Sequence, residues 1–394
     1  MNIAFCYESV LPTKGGCETY IADLARRLIA DRHEVHLYAC RWDASALPEA
    51  MQFHQLPAAR GPRFLRPWRF GRSCLKALAE GHHDVTLGFD KTWGQDVLYP
   101  QGGLHAASAE CNRRKHGSTW LRGLARVVKA FDLAHWSFSL LERKQYLSEP
   151  KPLIVVNSFM VRDHFQRFLE VSFDRLHVVR SAIDPNRFPE HDRLKRRQEW
   201  RERWGLAPAE TVGLIAAMNY RLKGLDPLLR AVRVLLDRPE ARDRPFRLVV
   251  AGNPSFRAYE QLAQRLGIAE AVRFVGHCDP MRNAYFAADF LVHPTFYDPC
   301  SLVVLEALAC GLPVITTKAN GASELLSPPR EGYVVEDPHD HEQLADCLES
   351  LLDPQRRHAC AVAARKTALD WTFEHHYQAL LTVFTEAARR KHAA

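Results

Sequence analysis

Among the 394 residues no run reaches the roughly eighteen uninterrupted apolar side chains that a membrane span requires. The first residues, Met1, Asn2, Ile3, Ala4 and Phe5, lack the charged leader and long apolar core of a signal peptide. A soluble, cytoplasmic protein is expected. The ten cysteines, at positions 6, 17, 40, 74, 111, 278, 300, 310, 347 and 360, include no Cys-x-x-Cys pair. That spacing excludes a zinc knuckle and argues for reduced thiols over a disulfide framework. No G-x-G-x-x-G occurs, so the dinucleotide fingerprint of a dehydrogenase is missing. Short-period repeats and low-complexity segments are also absent, and no Asp-x-Asp pair stands where a strand would end. What remains is globular: 47% hydrophobic and 25% charged residues, with 20 Gly and 23 Pro. The length corresponds to about two to three ordinary domains.

The formal net charge of +7 is unevenly placed. Residues 1–180 carry 25 Lys and Arg against 18 Asp and Glu, whereas residues 181–394 carry 28 of each. Two windows concentrate the excess. One holds Arg60, Arg63, Arg66, Arg69, Arg72 and Lys76; the other holds Arg113, Arg114, Lys115, Arg122, Arg126 and Lys129. Such windows favour an anionic surface, whether a membrane, a nucleic acid or an acidic ligand.

Apolar runs at 3–7 and 35–39 flank a helix-period stretch with Tyr20, Ile21, Leu24, Leu28 and Ile29 on one side. This strand, helix, strand unit seeds a parallel sheet. Further runs at 85–89 and 153–156, separated by helical lengths, extend it into one doubly wound domain. After the turn-rich segment 184–189 the alternation restarts, with strand candidates at 211–217, 247–251, 272–275, 289–293 and 313–317. A second α/β domain follows.

Three segments carry candidate chemistry. Lys14, Gly15, Gly16, Cys17 and Glu18 lie between a strand and a helix, where glycine allows close backbone approach and free N–H groups favour anions. Alone, they are also compatible with an ordinary tight turn. Arg221 and Lys223, in the stretch 219–226, leave a strand where α/β sheets bind ligands, a position suited to a diphosphate and equally to solvated surface charge. The third segment is 298–313. There Asp298 and Pro299 have the form of a helix N-cap and first helical residue. Glu306 resists such an account, because it interrupts a run otherwise apolar from Leu302 to Cys310. A carboxylate so placed needs partners, and a vicinal diol can donate one hydroxyl to each oxygen. The N–H groups around Cys300, Ser301 and Leu302 are then expected to be free for an anionic or hydroxyl-rich ligand.

Residues 294–315, with an acid, seven residues and Glu, resemble the motif of retaining glycosyltransferases of the GT-B fold, family 4. Gly15, Gly16, Cys17 and Glu18 resemble the family's amino-terminal Gly-Gly-x-Glu loop. Residues 178–188 resemble its interdomain segment and 221–224 its basic diphosphate-binding turn. Residues 248–252 and 274–277 match two more family strands, so the resemblance spans nearly the whole chain, and it is nearest to lipopolysaccharide-core glucosyltransferases. The chain departs from the family at Asp298, where Glu is commonest, and at Ser301, where Gly is commonest.

The resemblance implies two Rossmann-like doubly wound domains facing across a cleft. Residues 1–182 would bind the acceptor, 183–370 the nucleotide-sugar donor, and 371–394 would form a terminal helix crossing back to the first domain. It implies that Glu306 binds ribose hydroxyls, Asp298 contacts the transferred sugar, and Arg221 and Lys223 hold the diphosphate. Gly15, Gly16, Gly252, Cys300, Ser301, Leu302 and Val303 complete the donor site. His105, in the Gly-rich segment 101–105, is carried over as a sugar-contacting or catalytic residue. The implied reaction moves a hexose, with a UDP sugar as the expected donor, to a glycan or glycolipid hydroxyl with retention and without a metal or cofactor. The basic windows, with Trp120 and Leu121, and with Phe64, Trp68 and Phe70, would rest on anionic lipid at the inner face of the cytoplasmic membrane. Rival readings are a nucleotide-sugar epimerase on the same fold and a non-catalytic basic binding protein. A nucleic-acid partner leaves Glu306 unexplained.

Overall fold

The computed structural model describes residues 1–11, 16–58, 60–115, 120, 132–241, 243–253 and 255–393. Lys14, Gly15, Leu121, Arg122, Arg126 and Lys129 lie outside the described residues. The chain falls into two units, one drawn from Met1–Arg113, Ser118–Ser181 and Glu374–Ala394, the other from Arg114–Gly117 and Ala182–Phe373.

In the first unit seven strands form one parallel sheet: β1 (Asn2–Cys6), β2 (Glu34–Ala39), β3 (Gln52–Gln55), β4 (Val85–Phe89), β5 (Val97–Tyr99), β6 (Leu153–Val156) and β7 (Leu176–Val178). Their spatial order is β3, β2, β1, β4, β5, β6, β7. The second unit repeats the plan with β8 (Thr211–Ala217), β9 (Phe246–Gly252), β10 (Val272–Gly276), β11 (Phe290–His293), β12 (Val314–Thr317) and β13 (Gly332–Val335), ordered β10, β9, β8, β11, β12, β13. Every pairing in both sheets is parallel. Both units are doubly wound, with a switch point beside the first strand: between β1 and β4, and between β8 and β11.

Parallel sheets are covered on both faces, so their strands read as unbroken apolar runs. Ile3, Ala4, Phe5 and Cys6 are all fully buried, as are Leu214 and Ile215. Those runs made the longer strands legible. Within these two sheets the strands that were not anticipated are β3, β5, β7 and β13, each of three or four residues. Strand β3, with the sequence Gln, Phe, His, Gln, pairs on one side only and carries no apolar run.

Helix α1 (Gly16–Ala30) buries Tyr20, Ile21, Leu24 and Leu28, the stripe expected from the 3.6-residue period. Helices α2 (His105–Arg114) and α3 (Leu133–Leu147) follow in the first unit, and α4 (Leu225–Asp237), α5 (Arg282–Ala287) and α6 (Leu302–Ala309) belong to the second. The last helix, α7 (Phe373–Ala393), packs on α1. Tyr20 Oη meets the fully buried His376 Nε2 at 2.7 Å, Arg27 pairs with Glu374 at 2.9 Å, and Tyr377 donates to Asp31 at 2.7 Å. All ten cysteines are free thiols. No described helix is long and apolar enough to cross a membrane.

In the basic window at 60–76 all six cationic side chains are exposed, whereas the aromatic ones are buried to different degrees. Phe70 is in the core and Trp68 donates its indole N–H to Ser137 Oγ at 2.9 Å while packing against Trp93. Phe64 is half-buried, whereas Trp120 is 72% exposed.

Candidate active site

In the second unit the expected residues gather at the carboxyl ends of the strands, across the β8 and β11 switch point. The basic turn leaves β8 and is tied down locally. Lys223 N–H donates to Asn219 O at 3.0 Å, and Leu222 N–H donates to Asn219 Oδ1 at 3.1 Å. The turn is also tied to the segment leaving β11, through Phe296 N–H and Thr295 Oγ1, both donating to Leu222 O at 2.9 and 3.2 Å. Gly224 closes the turn at φ +77°, and a Cβ there would stand 2.0 Å from Pro294 O. Only glycine allows the two segments this approach.

The result is an ion pair. Lys223 Nζ lies 2.5 Å from Asp298 Oδ2, bridging what leaves β8 to what leaves β11. Burial by itself would raise the Asp298 pKa; the Lys223 charge and a hydrogen bond from His293 outweigh it and hold the carboxyl well below the usual range. Asp298 is therefore an anion, and it is not the helix cap. Helix α6 begins four residues later, at Leu302, with Ser301 at the N-cap position. The Asp298 backbone is instead clamped to the loop after β12, with N–H to Ala319 O and C=O from Gly321 N–H, both 2.9 Å. This is the physical reason for the correction: the carboxylate is turned to Lys223, leaving the helix start to others.

A second correction concerns Ser301. Its N–H is not free, because Asn320 Oδ1 accepts it at 3.2 Å. The same oxygen accepts Ala322 N–H at 3.1 Å, and Asn320 Nδ2 donates to Thr316 Oγ1 at 3.0 Å. Leu302 and Val303 open the first turn of α6, where N–H groups have no intrahelical acceptor. Cys300 is buried beside them.

Glu306 sits one turn into α6 and is partly buried. Its partner is Tyr285 of α5, whose Oη donates to Glu306 Oε2 at 2.6 Å. Burial pushes the Glu306 pKa up, against the Tyr285 hydrogen bond and the charge of Arg187. Arg221 is exposed on the turn beside Tyr259. Gly252 ends β9 at φ +117°, where a Cβ would stand 2.1 Å from Ala217 O, so packing of β8 on β9 already demands glycine there.

Sequence reasoning missed His293, Tyr285 and Asn320. Each is fully or nearly fully buried. A polar residue at a strand end or inside an apolar helix was the available signal.

The first unit collects a second group at its own switch point. Gly16 starts α1 after β1, and Asp90 follows β4 with φ +53°. Asp90 Oδ1 accepts Gly102 N–H at 3.3 Å, and burial raises its pKa. His105 is the first residue of α2, with Nε2 3.0 Å from His135 Nδ1. Glu142, buried on α3, accepts the N–H groups of His105 and Ala106 and so caps α2. Burial pushes Glu142 up to about 7, against those two hydrogen bonds. Asp90, Lys91, Gly102, Gly103, His105 and Glu142 line part of a cavity of about 270 Å³. Among the described residues no group of three or more His, Cys, Asp or Glu side chains is arranged to hold a metal ion.

Two doubly wound parallel units of this kind make up the GT-B fold, which the solved structures named below share. Residues 209–354 match the family described as glycosyl transferases group 1, and residues 14–98 match glycosyltransferase family 4. The chain is 33% identical over 377 residues to D-inositol 3-phosphate glycosyltransferase 2 of Catenulispora acidiphila, covering 87% of this chain and 83% of that protein. It is 26% identical over 353 residues to the lipopolysaccharide glucosyltransferase WaaG of Escherichia coli K12, covering 89% and 90%. A crystal structure of WaaG superposes with a TM-score of 0.77 at 24% identity over 98% of both chains. Anabaena Alr3699/HepE in complex with UDP-glucose does so with a TM-score of 0.68 at 18% identity over 100% of both. The chain belongs to glycosyltransferase family 4.

Proposed function

We propose that this glycosyltransferase moves a hexose from a nucleoside diphosphate sugar, with a UDP sugar as the expected donor, to a hydroxyl of a glycan or glycolipid acceptor. The transfer retains configuration at the anomeric carbon, needs no metal or cofactor, and serves synthesis of lipopolysaccharide or another cell-envelope polysaccharide. One observation carries the reading: two carboxylates, Asp298 and Glu306, stand at one switch point, each braced by a donor that leaves acceptor capacity for a ligand. The name of the Escherichia coli relative supports the pathway, and the UDP-glucose in HepE supports the donor.

Glu306 accepts the ribose hydroxyls, since one of its oxygens takes Tyr285 and a carboxylate has about four lone-pair directions. Asp298 accepts a hydroxyl of the transferred sugar. Lys223 has three N–H donors, so it can keep Asp298 while donating to the diphosphate with Arg221. Negative charge grows on that diphosphate as the glycosidic bond breaks, and Lys223, Arg221 and the N–H groups of Leu302 and Val303 stabilise it. Cys300, Ser301 and Gly252 shape the surrounding backbone. Gly16, with Gly15, and His105 of the first unit take the roles that the family resemblance assigns to them. The leaving phosphate oxygen accepts the proton of the attacking hydroxyl.

The exposed Arg60, Arg63, Arg66, Arg69, Arg72 and Lys76 hold the enzyme reversibly against anionic lipid at the cytoplasmic face.

Calorimetric titration with UDP, GDP, ADP and CDP sugars, on the wild type and on Glu306→Ala, tests the donor reading. One nucleotide sugar should bind and the variant should lose it. Binding that survives the substitution, or no binding by any sugar nucleotide, would sink it.

A further inference from the structure

Asp298 receives its side-chain contacts on one oxygen. Lys223 Nζ is 2.5 Å from Oδ2, and His293 Nε2 is 3.5 Å from the same atom. Among the described residues none donates to Oδ1. His293 ends β11, is 1% exposed, and has its Nε2 also within 3.3 Å of Ser301 Oγ. Its backbone is fixed: the C=O accepts Thr316 Oγ1 at 2.9 Å and Thr295 N–H at 2.8 Å.

The state of the ring follows from its other nitrogen. Nδ1 is buried with no hydrogen-bond partner. An imidazolium would place an N–H there with nothing to receive it, at a cost of roughly 1–3 kcal/mol. Burial likewise disfavours the charged ring, opposed by Asp298. His293 is therefore neutral, with its proton on Nε2, which lies 3.3 Å from Ser301 Oγ and 3.5 Å from Asp298 Oδ2.

We infer that His293 is a positioning residue for sugar transfer. With Lys223 it holds the Asp298 carboxylate by Oδ2 and turns Oδ1 outward as the acceptor for a hydroxyl of the transferred sugar. The inference rests on the reading of Asp298 given above and adds which of its oxygens meets the sugar and what aims it. A neutral donor suits the task, because it orients the carboxylate without adding a second positive charge to neutralise it.

The test uses His293→Gln, whose side-chain N–H reaches to about the place of Nε2–H, and His293→Leu, which has no donor. UDP and UDP-glucose binding are measured by calorimetry, and UDP release from UDP-glucose with water as acceptor gives kcat and KM. The Leu variant should bind UDP as the wild type does but lose kcat by about thirtyfold, with Gln restoring most of it. Wild-type kcat in the Leu variant would overturn the inference, as would equal losses in both variants together with lost UDP binding, the signature of packing alone. Asp298→Asn, run in parallel, separates the two layers. If it turns over the bound sugar nucleotide normally, or if wild type binds none of the UDP, GDP, ADP and CDP sugars, the reading of the site fails and the inference with it. If Asp298→Asn is inactive while His293→Leu is normal, only the inference fails.

Discussion

Tyr285 Oη donates to Glu306 Oε2 at 2.6 Å, and both groups sit among apolar side chains between α5 and α6. This hydrogen bond lets a carboxylate survive in a helix that is otherwise apolar. Removing it with Tyr285→Phe leaves the carboxylate oxygen without its donor, a loss of about 1.5–3 kcal/mol for a hydrogen bond to a charged group. UDP-sugar affinity should fall by about tenfold. Calorimetric titration checks this, and an unchanged affinity would mean that Tyr285 does not set the Glu306 geometry.

Lys223→Ala takes the counter-charge from Asp298. The buried carboxylate then keeps only the neutral His293, and the developing diphosphate charge loses a donor. Turnover of UDP-glucose should fall by about a hundredfold or more. Because Lys223 and Asp298 act as one unit, Lys223→Ala combined with Asp298→Asn should cost far less than the two single losses added. Additive losses would show that the pair in the structure is not coupled in the reaction.

Gly224→Ala meets two obstacles, a φ of +77° and the Pro294 carbonyl 2.0 Å from the new Cβ. The strain costs about 1–3 kcal/mol and shifts the turn that carries Lys223. Thermal unfolding should show a lower Tm, and transfer should weaken along with it. A variant of unchanged Tm and activity would refute the close approach.

Glu142 lies at about 7 where its ordinary value is 4.5, because burial opposes its charge. The folded state then holds a proton that the unfolded chain has released. Stability from this group is full below about pH 4.5 and is lost as pH rises to about 7, a change of order 3 kcal/mol. Glu142→Gln should remove that step. Tm measured across pH 4.5 to 8 in both proteins checks it, and parallel curves would count against the shifted carboxyl.

Replacing Arg60, Arg63, Arg66, Arg69, Arg72 and Lys76 by Ser should reduce flotation with phosphatidylglycerol vesicles and leave recovery with neutral vesicles unchanged. Each cation near such a surface contributes about 1 kcal/mol. Equal recovery of the wild type with both vesicle types would remove the membrane proposal.

Much of the fold was legible. Strands β1, β2, β4, β6, β8 and β9 announce themselves as apolar runs because a parallel sheet buries both faces, and α1 shows its buried stripe at helical spacing. Strand β5 is equally buried but only three residues long, below the length at which a run stands out, and β3 is a polar edge. At the site, Glu306 was legible as a charge that should not be in an apolar helix. Asp298 was legible as a residue of interest, but its local reading as a cap was wrong. Its actual partner lies 75 positions earlier, and no local pattern reports it.

The order of apolar runs and the anomalous carboxylate at 306 follow from the sequence alone, because burial and charge patterns are properties of single residues and their near neighbours. Which oxygen of Asp298 is taken, which tyrosine satisfies Glu306 and which N–H groups remain for a ligand were decided only in the tertiary structure. They depend on contacts between segments far apart in the chain, brought together where β8 and β11 diverge.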